Sequence, residues 1–213
     1  MINGGWTDFG EDWVRDAVVT ELNSGTGPVI ALFEDVPTDT AGTELSGDNY
    51  SRFACPVEAS GNATITNNGE LTGPTPSGTW PKVIGYKVLD DGGNAFFHGE
   101  LINTPQQFTE ANINTGTNTI TITGHGLADN TRVVVRNEGG ALPAGLSGAV
   151  GTEYYIITSA SDTFQLSATE GGAAVDITDT GSGIHRIFKS YYQTPNPTAV
   201  FKIPDNGLTF TID

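Results

Sequence analysis

The three histidines, His98, His125 and His185, are the first place to look for acid–base or metal chemistry in this chain. They lie 27 and 60 residues apart, and each adjoins a glycine or a β-branched residue. No HExxH pair, nucleophile elbow or phosphate-binding loop accompanies them. Gly124-His125-Gly126-Leu127 reads as a tight turn ahead of a strand. Paired carboxylates are the second place to look, because glycan hydrolysis uses two acids held a few ångströms apart. The candidates are Asp90 with Asp91, Asp35 with Asp39, and Asp176 with Asp179. All sit among turn formers, where Asp hydrogen-bonds backbone rather than substrate. The same acids could ligate Ca²⁺, but no EF-hand or repeat spacing is present. Cys55 is the only cysteine, so an intrachain disulfide and a Cys-based zinc site are both excluded. The expectation is a protein that is not an enzyme, with no catalytic residue, cofactor or metal.

What must position these residues is a set of short strands. The 213 residues include 28 Gly and 11 Pro, and the apolar runs are brief and rich in Val, Ile, Phe and Tyr. That is the composition of strands joined by many turns, in one or two domains. The net charge of −16 repels phosphate backbones and anionic lipid over a Debye length of about 10 Å. Nucleic acid and membrane are therefore not expected partners. Solubility and suppressed self-association explain such acidity, and an acidic binding face is the alternative. Met1 to Trp6 lacks the basic and apolar regions of a signal peptide, and no run approaches the roughly 18 apolar residues of a membrane span. Synthesis in the cytoplasm without secretion is expected.

One helix is expected near the start. Asp8 caps it and Glu11 completes a capping box. Trp13, Val14, Ala17, Val18 and Leu22 then share one face over about 14 residues, with Asp12, Arg15, Asp16 and Glu21 mostly opposite. A helix this short is marginal alone, so it must pack on its own sheet or on a neighbouring subunit. Strands are expected at 28–33, 50–57, 62–66, 82–89 and 95–102, the last two joined by a hairpin at Asp90-Asp91-Gly92-Gly93-Asn94. From about Phe108 to Phe188 the chain turns richer in Thr and Gly, with strands near 119–123, 131–136, 153–158, 163–167 and 184–188. The tail returns to the composition of the first hundred residues and reads as a closing hairpin around Asp205-Asn206-Gly207. The predicted architecture is all-β, a jelly-roll-like β-sandwich with one N-terminal helix over 1–106 and 190–213, and an inserted small β domain at 107–189.

Two stretches resemble phage proteins. Val29-Ile30-Ala31-Leu32-Phe33, Gly42-Thr43-Glu44-Leu45-Ser46-Gly47 and Tyr50-Ser51-Arg52 resemble a family of small virion structural proteins reading roughly "LALFTSDP, GTEVSGGGYAR". Thr79-Trp80-Pro81, His98-Gly99-Glu100-Leu101, Thr104-Pro105 and Gly207-Leu208-Thr209-Phe210 continue that likeness. The chain departs from the family by the long stretch between Thr104-Pro105 and the last strands. That stretch is similar to a surface-display module grafted into many phage proteins, on Gly124-His125-Gly126-Leu127, Leu142-Pro143-Ala144-Gly145-Leu146 and Thr163-Phe164-Gln165-Leu166-Ser167.

The resemblance implies a β-sandwich virion protein, often labelled tail fibre, and a homotrimer at the virion surface. The leading expectation is a capsid decoration protein bound to the major capsid protein. A tail-fibre or tail-tip adhesin bound to tail proteins and contacting host glycans is the alternative, and a particle-bound glycan hydrolase is the third. Trp6, Phe9, Trp13 and Trp80 are the candidate interface residues, with core packing open for the N-terminal three. Tyr154, Tyr155, Tyr191 and Tyr192 are the candidate ligand contacts, each pair placing one ring on either face of a strand.

Overall fold

The computed structural model describes residues 8–61 and 63–211, with side chains from Glu11 onward. Trp6 lies outside the described residues, and so do the side chains of Asp8 and Phe9. In chain order the elements are α1 (Asp8–Leu22), β1 (Val29–Phe33), β2 (Phe53–Ala54), β3 (Val57–Ala59), β4 (Thr64–Asn67), β5 (Leu71–Thr72), β6 (Gly85–Leu89), β7 (Ala95–Glu100) and β8 (Gln106–Phe108). They continue as β9 (Ile113–Asn114), β10 (Thr119–Thr121), β11 (Arg132–Glu138), β12 (Tyr154–Ile157), β13 (Thr163–Ser167), β14 (Ile184–Lys189), β15 (Lys202–Ile203) and β16 (Thr209–Thr211). The described residues form an all-β fold with one α-helix, as the sequence predicts.

The chain divides into two compact units, Met1–Glu100 with Gln193–Asp213, and Leu101–Tyr192. Sequence alone places these divisions at 106/107 and 189/190. Residues 101–106 and 190–192 belong to the second unit because its two ends are zipped together. The Tyr191 N–H donates to Leu101 O at 2.9 Å, and Ile102 bridges Ser190.

The first unit is a sandwich. One sheet runs β2-β1-β6-β7 and the other β16-β4-β3, all antiparallel. Phe210 of β16 stacks on Phe97 of β7 at 4.2 Å and meets Tyr86 of β6 at 6.1 Å, so the sheets face each other through these rings. Ile30, Leu32, Ile65, Val88 and Phe201 are fully buried, each contributing roughly 1.5–3 kcal/mol of hydrophobic stabilisation. The β6–β7 hairpin forms as the Asp-Gly-Asn signal predicts. Gly93 takes a positive φ, and Asp90 Oδ1 accepts from the Asn94 N–H at 2.7 Å.

The expected strand 50–57 is instead the two short strands β2 and β3, and the expected closing hairpin does not pair with itself. β15 pairs β5 and β16 pairs β4. The reason is Asn67, whose buried side chain occupies the turn between the last two strands. Its Oδ1 accepts from the Leu208 N–H at 2.8 Å, and its Nδ2 donates to Pro204 O at 2.9 Å and to Gly69 O at 2.8 Å. A fully satisfied buried amide thus splits the tail between two sheets.

α1 packs on β3 and β4 of its own unit, but with a different face from the one predicted. Arg15, expected outside, donates to Gly61 O and to Asp12 Oδ1, which also accepts from the Ala63 N–H at 3.2 Å. Asn23 closes the other end, donating to Val57 O at 2.7 Å and accepting from the Val57 N–H at 3.4 Å. These polar clamps rotate the helix. Leu22 is buried, Val14 and Val18 are half-buried, and Trp13 and Ala17 are exposed.

The second unit is a seven-stranded antiparallel sheet, β8-β14-β11-β12-β13-β10-β9. Its core holds Phe108, Ile120, Val133, Val135, Tyr154, Ile156, Phe164, Leu166 and Ile187. Strands β11 and β14 pair over six residues, from Val133–Lys189 to Glu138–Ile184.

Candidate functional site

The residues carrying the family likeness build one local network on the first unit. β2 pairs β1 only at Val29 and Ile30, so beyond it the backbone of β1 at Leu32 lacks a strand partner on that side. The segment 43–50 supplies one. The Leu45 N–H donates to Leu32 O at 2.9 Å, and the Leu32 N–H donates to the Tyr50 hydroxyl at 2.9 Å. Tyr50 in turn donates to Glu44 Oε1 at 3.0 Å, and Arg52 grips Glu44 with two N–H groups at 2.9 and 2.7 Å. The Arg52 guanidinium holds the Glu44 carboxyl below its ordinary value, and burial raises the Tyr50 hydroxyl strongly. Trp80 meets Tyr50 edge-on at 5.4 Å and donates its indole N–H to Asp48 O at 3.0 Å. Gly42, at φ +137, could not carry a Cβ, which would meet Phe33 and Pro37 within 3 Å. The motif is therefore a scaffold for the sandwich edge.

Trp80 is corrected by this geometry. At 1% exposure, with its one donor satisfied, it is a core residue and offers no interface. Trp13 is the opposite case, 65% exposed on α1. Of the four tyrosines, Tyr191 is exposed at 53% and Tyr155 is half-buried. Tyr154 and Tyr192 are buried and are corrected as ligand contacts. Tyr154 packs in the core, and its hydroxyl accepts from the Ser147 N–H at 2.7 Å. Arg136 donates to the Tyr192 hydroxyl at 3.4 Å.

Most of the groups weighed for chemistry are engaged by neighbouring backbone and side chains. Asp90 accepts from Asn94 twice, and these bonds hold its carboxyl low. Asp179 accepts from the Ala144 and Gly181 N–H groups, which lower it likewise. Asp35 accepts from the Thr43 N–H, and Asp39 pairs exposed His98 at 2.8 Å. Buried His125 accepts at Nδ1 from the Leu127 N–H at 3.0 Å, fixing the Gly-His-Gly-Leu turn. His185 is buried between Asn137 Oδ1 and Thr180 O. Among the described residues no group of three or more His, Cys, Asp or Glu is placed to hold a metal ion.

Two features escape a reading of the sequence. Asn67 looks like any turn asparagine until its partners, about 140 residues away, are known. Glu153, with Ser190 donating to it at 2.6 Å and Arg132 at 3.4 Å, ties β11 to the exit of the second unit, and no local pattern marks it.

Residues 11–123 match the family model described as podophage GP4 fiber I protein gp80, more than half of the chain. The chain belongs to this fibre-protein family. Its scaffold residues Glu44, Tyr50, Arg52 and Trp80 lie inside the match, which continues past Thr104-Pro105 into the second unit. The fibre-family protein is thus a structural component of a phage particle. No curated protein and no solved structure matches it. No helix among its described residues is long and apolar enough to cross a membrane.

Proposed function

We propose that this chain is the subunit of a fibre on the phage particle, a homotrimer whose first unit assembles the fibre and whose second unit is an inserted module displayed outward. The observation that carries this reading is the fibre-family match across the helix and most of the sandwich. It shifts weight from a capsid decoration protein to the tail-fibre alternative. A symmetric homo-oligomer suits such a part. The edge strand β7, six residues long with Phe96 38% exposed, supports assembly through strand edges, because unpaired edges invite partners. Exposed Tyr191 supports a sugar-stacking contact with host glycans, since an exposed ring offers a flat apolar face. Glycan hydrolysis has no comparable support, as Asp90 and Asp179 are held by backbone N–H groups of turns and Asp39 pairs with His98.

Immunogold labelling of purified particles tests the location. Label confined to fibres or the tail agrees with the proposal, and label spread over the head returns the capsid reading. Light scattering of the purified chain tests the oligomer, with three times 22.3 kDa expected and a monomer at all concentrations contradicting it.

A further inference from the structure

The apolar residues that the sequence gathers on one side of α1 are only partly covered by the described residues. The helix packs on β3 and β4, Val14 and Val18 are half-buried, and of these apolar residues only Leu22 is fully buried. Trp13 and Ala17, one turn apart, form the outer flank and face away, bordered by exposed Asp16, Thr20 and Glu21. A tryptophan at 65% exposure leaves a large apolar area in water, and burying it on a partner is favourable. The helix presenting it is already fixed. Asp12 and Arg15 clamp it to Gly61 and Ala63, and Asn23 clamps it to Val57, so docking would not have to order it.

Charge decides what can cover this flank. α1 carries Asp8, Glu11, Asp12, Asp16 and Glu21 against Arg15 alone, and no basic residue lies in its last turn. Arg15 is turned inward, its side chain 13% exposed and held between Asp12 and Asp16. A second α1 laid against the first would therefore bring like charges together on both rims, with no free cation to offset them. We propose that the outer flank of α1 docks into an apolar groove rimmed by Lys and Arg on another protein of the particle. Trp13 fills the groove, Ala17 lets the helix approach closely, and Asp16 and Glu21 meet the basic rim. This rests on the reading of the chain as a virion component and names how it attaches.

The test uses the full chain and purified particles that lack it. Wild-type chain is added to the particles at low and high salt, and Trp13→Ser and Ala17→Glu variants are compared with it. Circular dichroism and light scattering on each variant check the fold and oligomer. The proposal expects both variants to keep the wild-type melting curve and oligomer yet bind particles at least about tenfold more weakly, and expects wild-type binding to weaken with salt. Variants that bind like wild type overturn it. A variant that loses its oligomeric state also overturns it, and assigns the flank to contacts between copies. Wild-type chain that never associates with particles overturns the virion reading itself, which distinguishes that failure from the failure of the docking flank.

Discussion

Replacing Asn67 by alanine should detach the C-terminal strands from the first unit. The side chain makes three hydrogen bonds, all to backbone, and is 0% exposed. Each bond is worth about 1 kcal/mol net, and a buried N–H left without a partner costs about 1–3 kcal/mol. The Leu208 N–H is the donor orphaned here. The expected loss is therefore about 3–5 kcal/mol, a large fraction of the roughly 5–15 kcal/mol that holds a domain folded. All three tryptophans lie at positions 6, 13 and 80, so their fluorescence in a urea titration reports the first unit without the second. Asn67→Asp sharpens the test. It retains an acceptor for the Leu208 N–H, but a carboxylate in place of the amide faces the carbonyl oxygens of Pro204 and Gly69. That variant should be destabilised at pH 7 and should recover as the pH falls and the carboxyl takes up a proton. An alanine variant within about 1 kcal/mol of wild type, or an aspartate variant indifferent to pH, would refute the role given to this amide.

Three further outcomes follow from the same unit. Tyr50→Phe leaves the buried Leu32 N–H without its acceptor and should cost about 1–3 kcal/mol in the same titration, whereas an unchanged midpoint contradicts the edge-closing role. The Glu44 carboxyl is held below its ordinary 4.5 mainly by Arg52. Its contribution is thus present above pH 4.5 and lost as the pH falls through the lower folded value. Because the pair is partly exposed, Arg52→Met should cost at most about 1 kcal/mol at pH 7 and almost nothing below the folded value, and an equal cost at both pH values contradicts this. The buried Cys55 thiol is pushed up to about 12 by desolvation, so a thiol reagent should label it only on unfolding. Rapid labelling of folded protein would show the core to be open there.

The fold class is legible because turn chemistry and strand composition are local. The Asp90–Asn94 hairpin needs only its own residues, β1 and β12 are apolar runs, and β13 alternates apolar and polar residues. The helix is legible as a helix, but its orientation is not. Periodicity groups Trp13 with Val14 and Val18, while the rotation that exposes Trp13 comes from Arg15 and Asn23 reaching the backbone of Gly61 and Val57. Alternation along a strand says that one ring of Tyr154-Tyr155 and of Tyr191-Tyr192 faces in, not which one. The tail reads as a hairpin because two apolar runs around Asp-Asn-Gly carry that signature, and the amide that separates them lies far away in sequence. Trp80 reads as an interface residue because an aromatic flanked by Thr and Pro gives no sign of the Asp48 carbonyl that takes up its indole N–H.

The most direct test of the account is the number of copies of this chain per particle, counted by quantitative mass spectrometry against the major capsid protein. A fibre subunit predicts a small number of copies, a multiple of three, that disappears when fibres are sheared off. Hundreds of copies retained on sheared heads would contradict the fibre assignment and restore the capsid decoration reading.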